Sequence, residues 1–432
     1  MTAQASAKVS PQSENYISTM SKCRLCGSKH IHSVLDMGSM ALTGVFPRPE
    51  QPDPLTSPLE LVICEDCKFV QSRHTVDPSL MYQEYWYRSG TNQTMRDHLK
   101  GVVVDVLSHT SVNAGDIVID TGCNDGTLLS NYDPSVERIG VDPSNAVQMI
   151  KDKNIKVVNN FFTARNVSAL LGNRKAKAIT SISMFYDLDR PHDFVSDIAS
   201  CLTPDGVWVV EMNYTGNMIH TLGYDMISQE HIAYYTLRVF ERLINEHKLY
   251  INDISFNTIN GGSIRFICGF LKKETPLVAE IREKELKDGL EDIATYTQYG
   301  QRINAFKSKL LAFLKDAKSK GHRVGAYGAS TRGNTVLQHC GITRDLVYAA
   351  ADRLPMKVGL ETSGSRIPII SEGQARKDNP EYMLVLPYYF LPEFIIREKE
   401  YLQNGGKFIV PLPELRLISW DKNKPEHDVT LL

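Results

Sequence analysis

No run of about eighteen apolar residues occurs in the 432-residue sequence, so a membrane-spanning helix is not expected. The first twenty residues, MTAQASAKVSPQSENYISTM, are polar and hold no apolar stretch of secretory length; residues 1–20 read as a disordered tail. Charge of one sign is missing too. The formal net charge of -2 offers no electrostatic basis for nucleic acid as a partner. Cysteine is sparse, eight in all, and without an export signal these are expected in a reducing, cytoplasmic setting. Clustered cysteines are there read as metal ligands before disulfides. There is no internal repeat and no low-complexity segment.

What is present is the composition of a soluble globular chain, 42% hydrophobic and 23% charged, long enough for two to four domains. Residues 21–78 are rich in proline and cysteine and suit a small metal-stapled module. Across 79–271, short apolar runs alternate with helical patterns: Asp116–Asp120, Arg138–Asp142, Ala178–Ser183 and Val207–Glu211 are strand-like, which argues a mostly parallel α/β sheet. Residues 272–320, where only Pro276, Gly289 and Gly300 interrupt, read as long connecting helices. A second α/β unit spans 321–432, with strand-like His322–Tyr327, Leu346–Ala350, Met383–Leu386 and Lys407–Val410.

Cys23-Arg-Leu-Cys26 and Cys64-Glu-Asp-Cys67 each place two thiolates on a tight turn, and two such turns complete a tetrahedron around zinc. Sulfur in all four positions leaves no open coordination site, so the zinc is expected to be structural. The 37 residues between the pairs exceed the usual zinc-ribbon spacing.

Val118-Ile-Asp120-Thr-Gly122-Cys-Asn124-Asp125-Gly126 runs from a strand into a glycine-bracketed turn and a helical Thr-Leu-Leu. A second strand ends at Asp142, twenty-two residues after Asp120, where an acid can accept hydrogen bonds from both ribose hydroxyls. The Asp-x-Gly-x-x-x-Gly form fits S-adenosylmethionine better than a pyrophosphate cradle, with Asp120 orienting the methionine amino group. In the last domain, Ser330-Thr-Arg332-Gly-Asn334 opens a helix after a strand. Helix amides beside an arginine suit a diphosphate. The alternatives are a turn that binds nothing or a dinucleotide site with Asp352 as the ribose acid. Tyr87, Tyr186 and Tyr234, together with Tyr82, Tyr85 and Tyr235, either line an acceptor pocket or pack in a core.

In order, the two cysteine pairs, Gly122-Cys-Asn-Asp-Gly-Thr-Leu-Leu129, Gln229-Glu230-His231 with Tyr234-Tyr235, Asn260-Gly-Gly-Ser263 and Gly328-Ala-Ser-Thr-Arg-Gly-Asn334 resemble the three-domain sugar C-methyltransferases of deoxysugar biosynthesis. The resemblance implies a zinc module, a class I methyltransferase core with a doubly wound sheet, and a Rossmann-like domain that grips the sugar nucleotide. It implies methylation of a ring carbon beside the ketone of a nucleoside-diphosphate keto sugar, with His231 as general base and Glu230 as its acidic neighbour. Asn260 and Ser263 join the substrate-binding set through it, as do Ser330, Arg332 and Asn334. Where the family usually has His-Glu-His, this chain has Gln229-Glu230-His231, preceded by Ser228, and a family histidine is replaced within Phe185-Tyr186-Asp187. An O- or N-methyltransferase, or a non-catalytic zinc and nucleotide-binding module, are the other readings. A monomer or small homo-oligomer is expected.

Overall fold

Apolar residues at alternate positions of the first cysteine-bearing segment fold it into strands rather than loops. The computed structural model describes residues 16–82, 87–420 and 427–432. Five strands come first: β1 (Ile17–Thr19), β2 (Ile31–Ala41), β3 (Thr56–Cys64), β4 (Val70–Ser72) and β5 (His74–Val76). Strands β2 and β3 form an antiparallel hairpin in which Ile31 faces Cys64. The hairpin accounts for the long gap between the cysteine pairs: the chain leaves the first pair, runs out, and returns to it. The expected disordered tail ends earlier than residue 20, because β1 pairs antiparallel with β5.

The apolar runs of the middle segment build one seven-stranded sheet. Its strands are β6 (Ile117–Thr121), β7 (Glu137–Val141), β8 (Ile155–Val158), β9 (Ala176–Ile182), β10 (Leu202–Asn213), β12 (Tyr250–Asn257) and β13 (Ser263–Gly269), in the order β12-β13-β10-β9-β6-β7-β8. All five residues of β6 are buried, as expected of a central parallel strand covered on both faces. Strand β13 runs antiparallel to both neighbours. The helix expected after Gly126 is only a single 3-10 turn, Leu129–Asn131. It stops because Asp133-Pro134 starts a new turn, in which the Asp133 carboxylate accepts from the Ser135 amide at 2.8 Å.

One short strand of the middle segment, β11 (Ala233–Tyr234), leaves this sheet and pairs antiparallel with β4, completing the four-stranded order β11-β4-β3-β2. The cysteine module thus holds residues immediately after His231 as part of its own sheet.

The expected connecting helices are present as Pro276–Lys287 and Ile293–Ser319. The second is a core element: Tyr296, Tyr299, Ile303, Phe306, Leu310 and Leu314 are buried in one cluster with Leu35 of β2 and Val336 and Leu337 of the last unit. That unit contains β14 (Val324–Tyr327), β15 (Ala350–Asp352), β16 (Ile369–Ser371), β17 (Tyr382–Val385), β18 (Lys407–Val410), β19 (Arg416–Trp420) and β20 (His427–Leu431), in the order β16-β15-β14-β17-β18-β19-β20. The strand expected at Leu346–Ala350 starts only at Ala350, because the Leu346 and Val347 amides both donate back to the Thr343 carbonyl in a turn.

The helix Leu237–Asn245, which follows β11, is anchored by a distant carboxylate. Glu285 is fully buried and accepts from the Leu237 amide at 2.6 Å, the Arg238 amide at 3.1 Å and the Tyr214 hydroxyl at 2.9 Å. Glu285→Ala strands these donors and is expected to lower stability by about 2–4 kcal/mol, read as a reduced urea midpoint.

Candidate active site and metal centre

The four cysteines expected as ligands meet at one end of the β2–β3 hairpin. Their sulfurs lie within 4.8 Å of one another, with Cys23 Sγ to Cys67 Sγ and Cys26 Sγ to Cys64 Sγ each 3.5 Å. A tetrahedron with Zn–S of about 2.3 Å has sulfur–sulfur edges of roughly 3.8 Å, so the set fits one zinc ion. Cys23, Cys64 and Cys67 are buried and Cys26 half-buried. The Gln71 amide and the Leu25 N–H point at Cys23 Sγ, at 3.2 and 3.4 Å, and would offset thiolate charge. The hydrogen bond with Cys67, backed by these donors, draws the Cys23 thiol down against the opposing effect of burial.

The residues expected around the cofactor lie at the carboxyl ends of β6 and β7, where ligands of open α/β sheets bind. Gly122 and Gly126 both have φ of +75°, and a Cβ on Gly122 would press on Met184. Asp142, 7% exposed, accepts from the Asn124 amide at 2.9 Å and the Ser144 amide at 2.8 Å. Each oxygen keeps a lone pair, so the acid can still receive ribose hydroxyls. Asp120 is buried and accepts from the Thr180 hydroxyl at 2.6 Å; burial nevertheless pushes its carboxyl up to about 7. Asn124 and Asp125 hold neighbouring chain: their side chains take the Ser89 and Gly90 amides at 3.1 and 2.8 Å, and Asn124 donates to the Tyr87 carbonyl at 3.2 Å. Two buried acids at the ends of neighbouring parallel strands, above a turn kept open by two glycines, fit adenosylmethionine.

His231 lies two residues before β11. Its Nδ1 is 2.7 Å from the Met226 carbonyl, which can only accept, so Nδ1 carries the proton and Nε2 presents a lone pair. Tyr186 packs edge-on against the imidazole with centroids 4.5 Å apart. Burial lowers the His231 pKa to about 4, and the nearby Arg332 cation acts in the same direction. Burial also pushes Glu230 up to about 7. Among the described hydrogen bonds, the imidazole is held by the Met226 carbonyl, while Glu230 sits in the bend formed by residues 228–230. Glu230 turns toward Gly44 of the cysteine module, where even a Cβ would come within 2.2 Å of its Oε1. Tyr234, largely buried, donates its hydroxyl to the His231 carbonyl at 2.8 Å.

The other expected substrate residues divide. Asn260 sits at the cleft in a left-handed conformation (φ +53°), its carbonyl accepting from Arg332 Nη1 and from Asn213 Nδ2 at 3.0 Å. Ser263 is buried and donates to the Ile259 carbonyl at 3.0 Å. Ser330 caps its own helix, accepting from the Gly333 amide at 2.9 Å. Asn334 is fully buried and donates to the Thr43 carbonyl at 2.8 Å, a contact that joins two segments of the protein in place of one with a ligand. Arg332, expected on a diphosphate, has its guanidinium on Asp225, at 2.7 Å from both Nε and Nη2. Tyr87 is exposed beside the cofactor loop. Tyr85 and the side chain of Tyr82 lie outside the described residues. Sequence reasoning missed Asp225, Met226 and Asn213, whose Oδ1 is buried without a hydrogen-bond partner at the end of β10. A backbone carbonyl leaves no trace in residue identity, and a single aspartate among 50 acidic residues carries no spacing signal.

Three family descriptions match in chain order: a zinc binding domain over residues 23–82, a methyltransferase domain over 95–251, and a C-methyltransferase C-terminal domain over 258–413. Together the three matches run along the chain from residue 23 to residue 413 in that order. The chain is an S-adenosylmethionine-dependent methyltransferase with the class I fold. C-methyltransferase NovU from Streptomyces niveus is 29% identical over 415 residues, which cover 94% of this chain and 99% of that protein. Solved structures similar to part of the chain include an S-adenosylmethionine-dependent methyltransferase from Clostridium acetobutylicum ATCC 824, at 15% identity over 40% of this chain and 91% of that one, with a TM-score of 0.32. Magnesium protoporphyrin IX methyltransferase from Synechocystis PCC 6803 matches at 13% identity over 42% of this chain and 90% of that one, with a TM-score of 0.33. Among the described residues, no helix is long and apolar enough to cross a membrane.

The purified protein is expected to carry about one zinc per chain by elemental analysis, and Cys64→Ser to lose zinc and melting temperature together. Zinc-free protein with an unchanged melting curve would show that the four sulfurs do not need the metal.

Proposed function

We propose that this enzyme methylates the ring carbon beside the ketone of a nucleoside-diphosphate keto sugar, with His231 as the base. The observation that supports this reading most is the His231 tautomer: Nδ1 is occupied by the Met226 carbonyl, and Nε2 is left with a lone pair. Carbon methylation requires an enolate, hence a base that is neutral at working pH, and a buried imidazole meets that need. His231 Nε2 takes the proton from the carbon next to the ketone, and the electron pair moves to the ketone oxygen. Glu230, about half protonated at neutral pH, donates a hydrogen bond to that oxygen in its protonated form. Adenosylmethionine supplies the electrophilic methyl group, held by Asp142 and Asp120 beside Gly122. Tyr186, edge-on to the imidazole, would wall the acceptor against His231, with Asn260 held nearby through Arg332. The metal centre stays structural and takes no part in the step.

His231→Asn is expected to lose at least about a hundredfold in turnover, to bind adenosylmethionine normally, and to stop exchanging solvent deuterium into the position beside the ketone. Normal methyl transfer by this variant would end the catalytic assignment. Asp142→Ala is expected to weaken adenosylmethionine binding in calorimetry by about 1.5–3 kcal/mol for each ribose hydrogen bond lost. The pH dependence has a definite sign. With His231 drawn down to about 4, turnover does not fall between pH 7 and 5 through protonation of the base. With Glu230 raised to about 7, turnover falls as pH rises through 7 and the carboxyl loses its proton. Glu230→Gln keeps an N–H donor and is expected to remove that alkaline fall in the pH–rate profile.

A further inference from the structure

Met226, whose carbonyl fixes the His231 ring, is gripped on both sides by one helix of the last unit. Asp225 before it is 1% exposed and forms a two-pronged ion pair with Arg332, with both Nε and Nη2 at 2.7 Å from Oδ2. Ile227 after it accepts from the Thr335 hydroxyl at 3.2 Å. Arg332 and Thr335 lie on the same helix, Thr331–Cys340. The guanidinium is fixed from the other directions as well: Nη1 donates to the Asn260 carbonyl, Nη2 to the Tyr388 hydroxyl at 3.3 Å, and the Tyr389 ring lies 4.7 Å from its centre. The Tyr388 hydroxyl is also 3.3 Å from the second Asp225 oxygen. Two charged donors on Oδ2 and the Tyr388 hydroxyl on Oδ1 leave the Asp225 carboxylate little freedom to rotate.

We propose that the Arg332–Asp225 pair, with Thr335, is a positioning device through which the last unit sets the tautomer and direction of His231, by holding the turn Tyr224–Met226 and its carbonyl in place. This rests on the reading of His231 as the base. Three links carry it: guanidinium to carboxylate, carboxylate through the turn to the Met226 carbonyl, and carbonyl to Nδ1. None of the three positioning side chains has to touch the reacting atoms. A partner that holds an imidazole in one tautomer can be worth orders of magnitude in rate, because the wrong tautomer puts a proton where the base needs its lone pair.

The test compares Asp225→Asn, Thr335→Val and the double variant Asp225→Asn/Arg332→Gln, which leaves no unpaired charge if the single change fails to fold. Histidine-labelled protein is read by nitrogen NMR, with the His231 signals assigned by their loss in His231→Asn. Wild type is expected to show the Nδ1–H form alone. Folded variants are expected to show a mixture of both tautomers, with kcat lowered at least about tenfold and the KM for adenosylmethionine unchanged. An unaltered tautomer in every folded variant overturns the proposal. A mixed tautomer with unaltered kcat upholds the positioning role and removes His231 as the base, so the two readings fail separately.

Discussion

The sulfurs of Cys23, Cys26, Cys64 and Cys67 stand so close together that four thiolates there need a shared cation, and the position of His231 depends on that cluster. Cys64 ends β3, and Cys67 leads directly into β4. Strand β4 in turn pairs with Ala233 and Tyr234, two and three residues beyond His231. A small metal-stapled sheet thus takes part of the methyltransferase chain as its edge strand, and the backbone hydrogen bonds of that edge set where the imidazole sits. A second set of contacts fixes the same module to the methyltransferase core: Arg24 pairs with Asp189 at 2.8 Å, and His192 reaches the Leu25 carbonyl at 2.7 Å.

Inside the cleft, burial acts on each ionisable group according to its partners. Asp225 and Arg332 are buried as an ion pair and compensate each other, which removing either partner would undo. Glu230 and His231 are not paired with each other. Both therefore shift toward their neutral forms, the acid upward and the base downward. At neutral pH the imidazole is thus without its second proton, while the carboxyl is near its midpoint.

The clustering of the four cysteines and the glycine turn after β6 were legible in the sequence because their signals are local. Two cysteines on one turn, or two glycines bracketing a strand end, give spacing signals that do not depend on the rest of the chain. The sheets were legible for a related reason: a strand such as β6, buried on both faces, reads as an apolar run. What the sequence hid was long-range or carried by backbone. The pairing of β11 with β4 spans more than 160 residues and covers only two residue pairs. The Asp225–Arg332 pair joins positions 107 apart; Asp225 lies in no metal or nucleotide pattern, and the pattern that holds Arg332 points to a diphosphate instead of a carboxylate. Ser330 and Asn334 were read as ligand contacts because they stand at a helix start, and that position is equally suited to capping and packing.

The tip of the β2–β3 hairpin touches three parts of the molecule at once. Gly44 lies against Glu230, the Ala41 amide and carbonyl bond to Gln338, and the Leu42 and Val45 carbonyls both receive the Ser363 hydroxyl. The three segments are therefore not interchangeable modules. A chimera that takes its C-terminal unit from a relative must also take residues 41–47, or the graft will meet a mismatched tip and shift Glu230 with it. For the same reason, insertions that surface hairpins normally tolerate would here press on Glu230 and on the last unit at once.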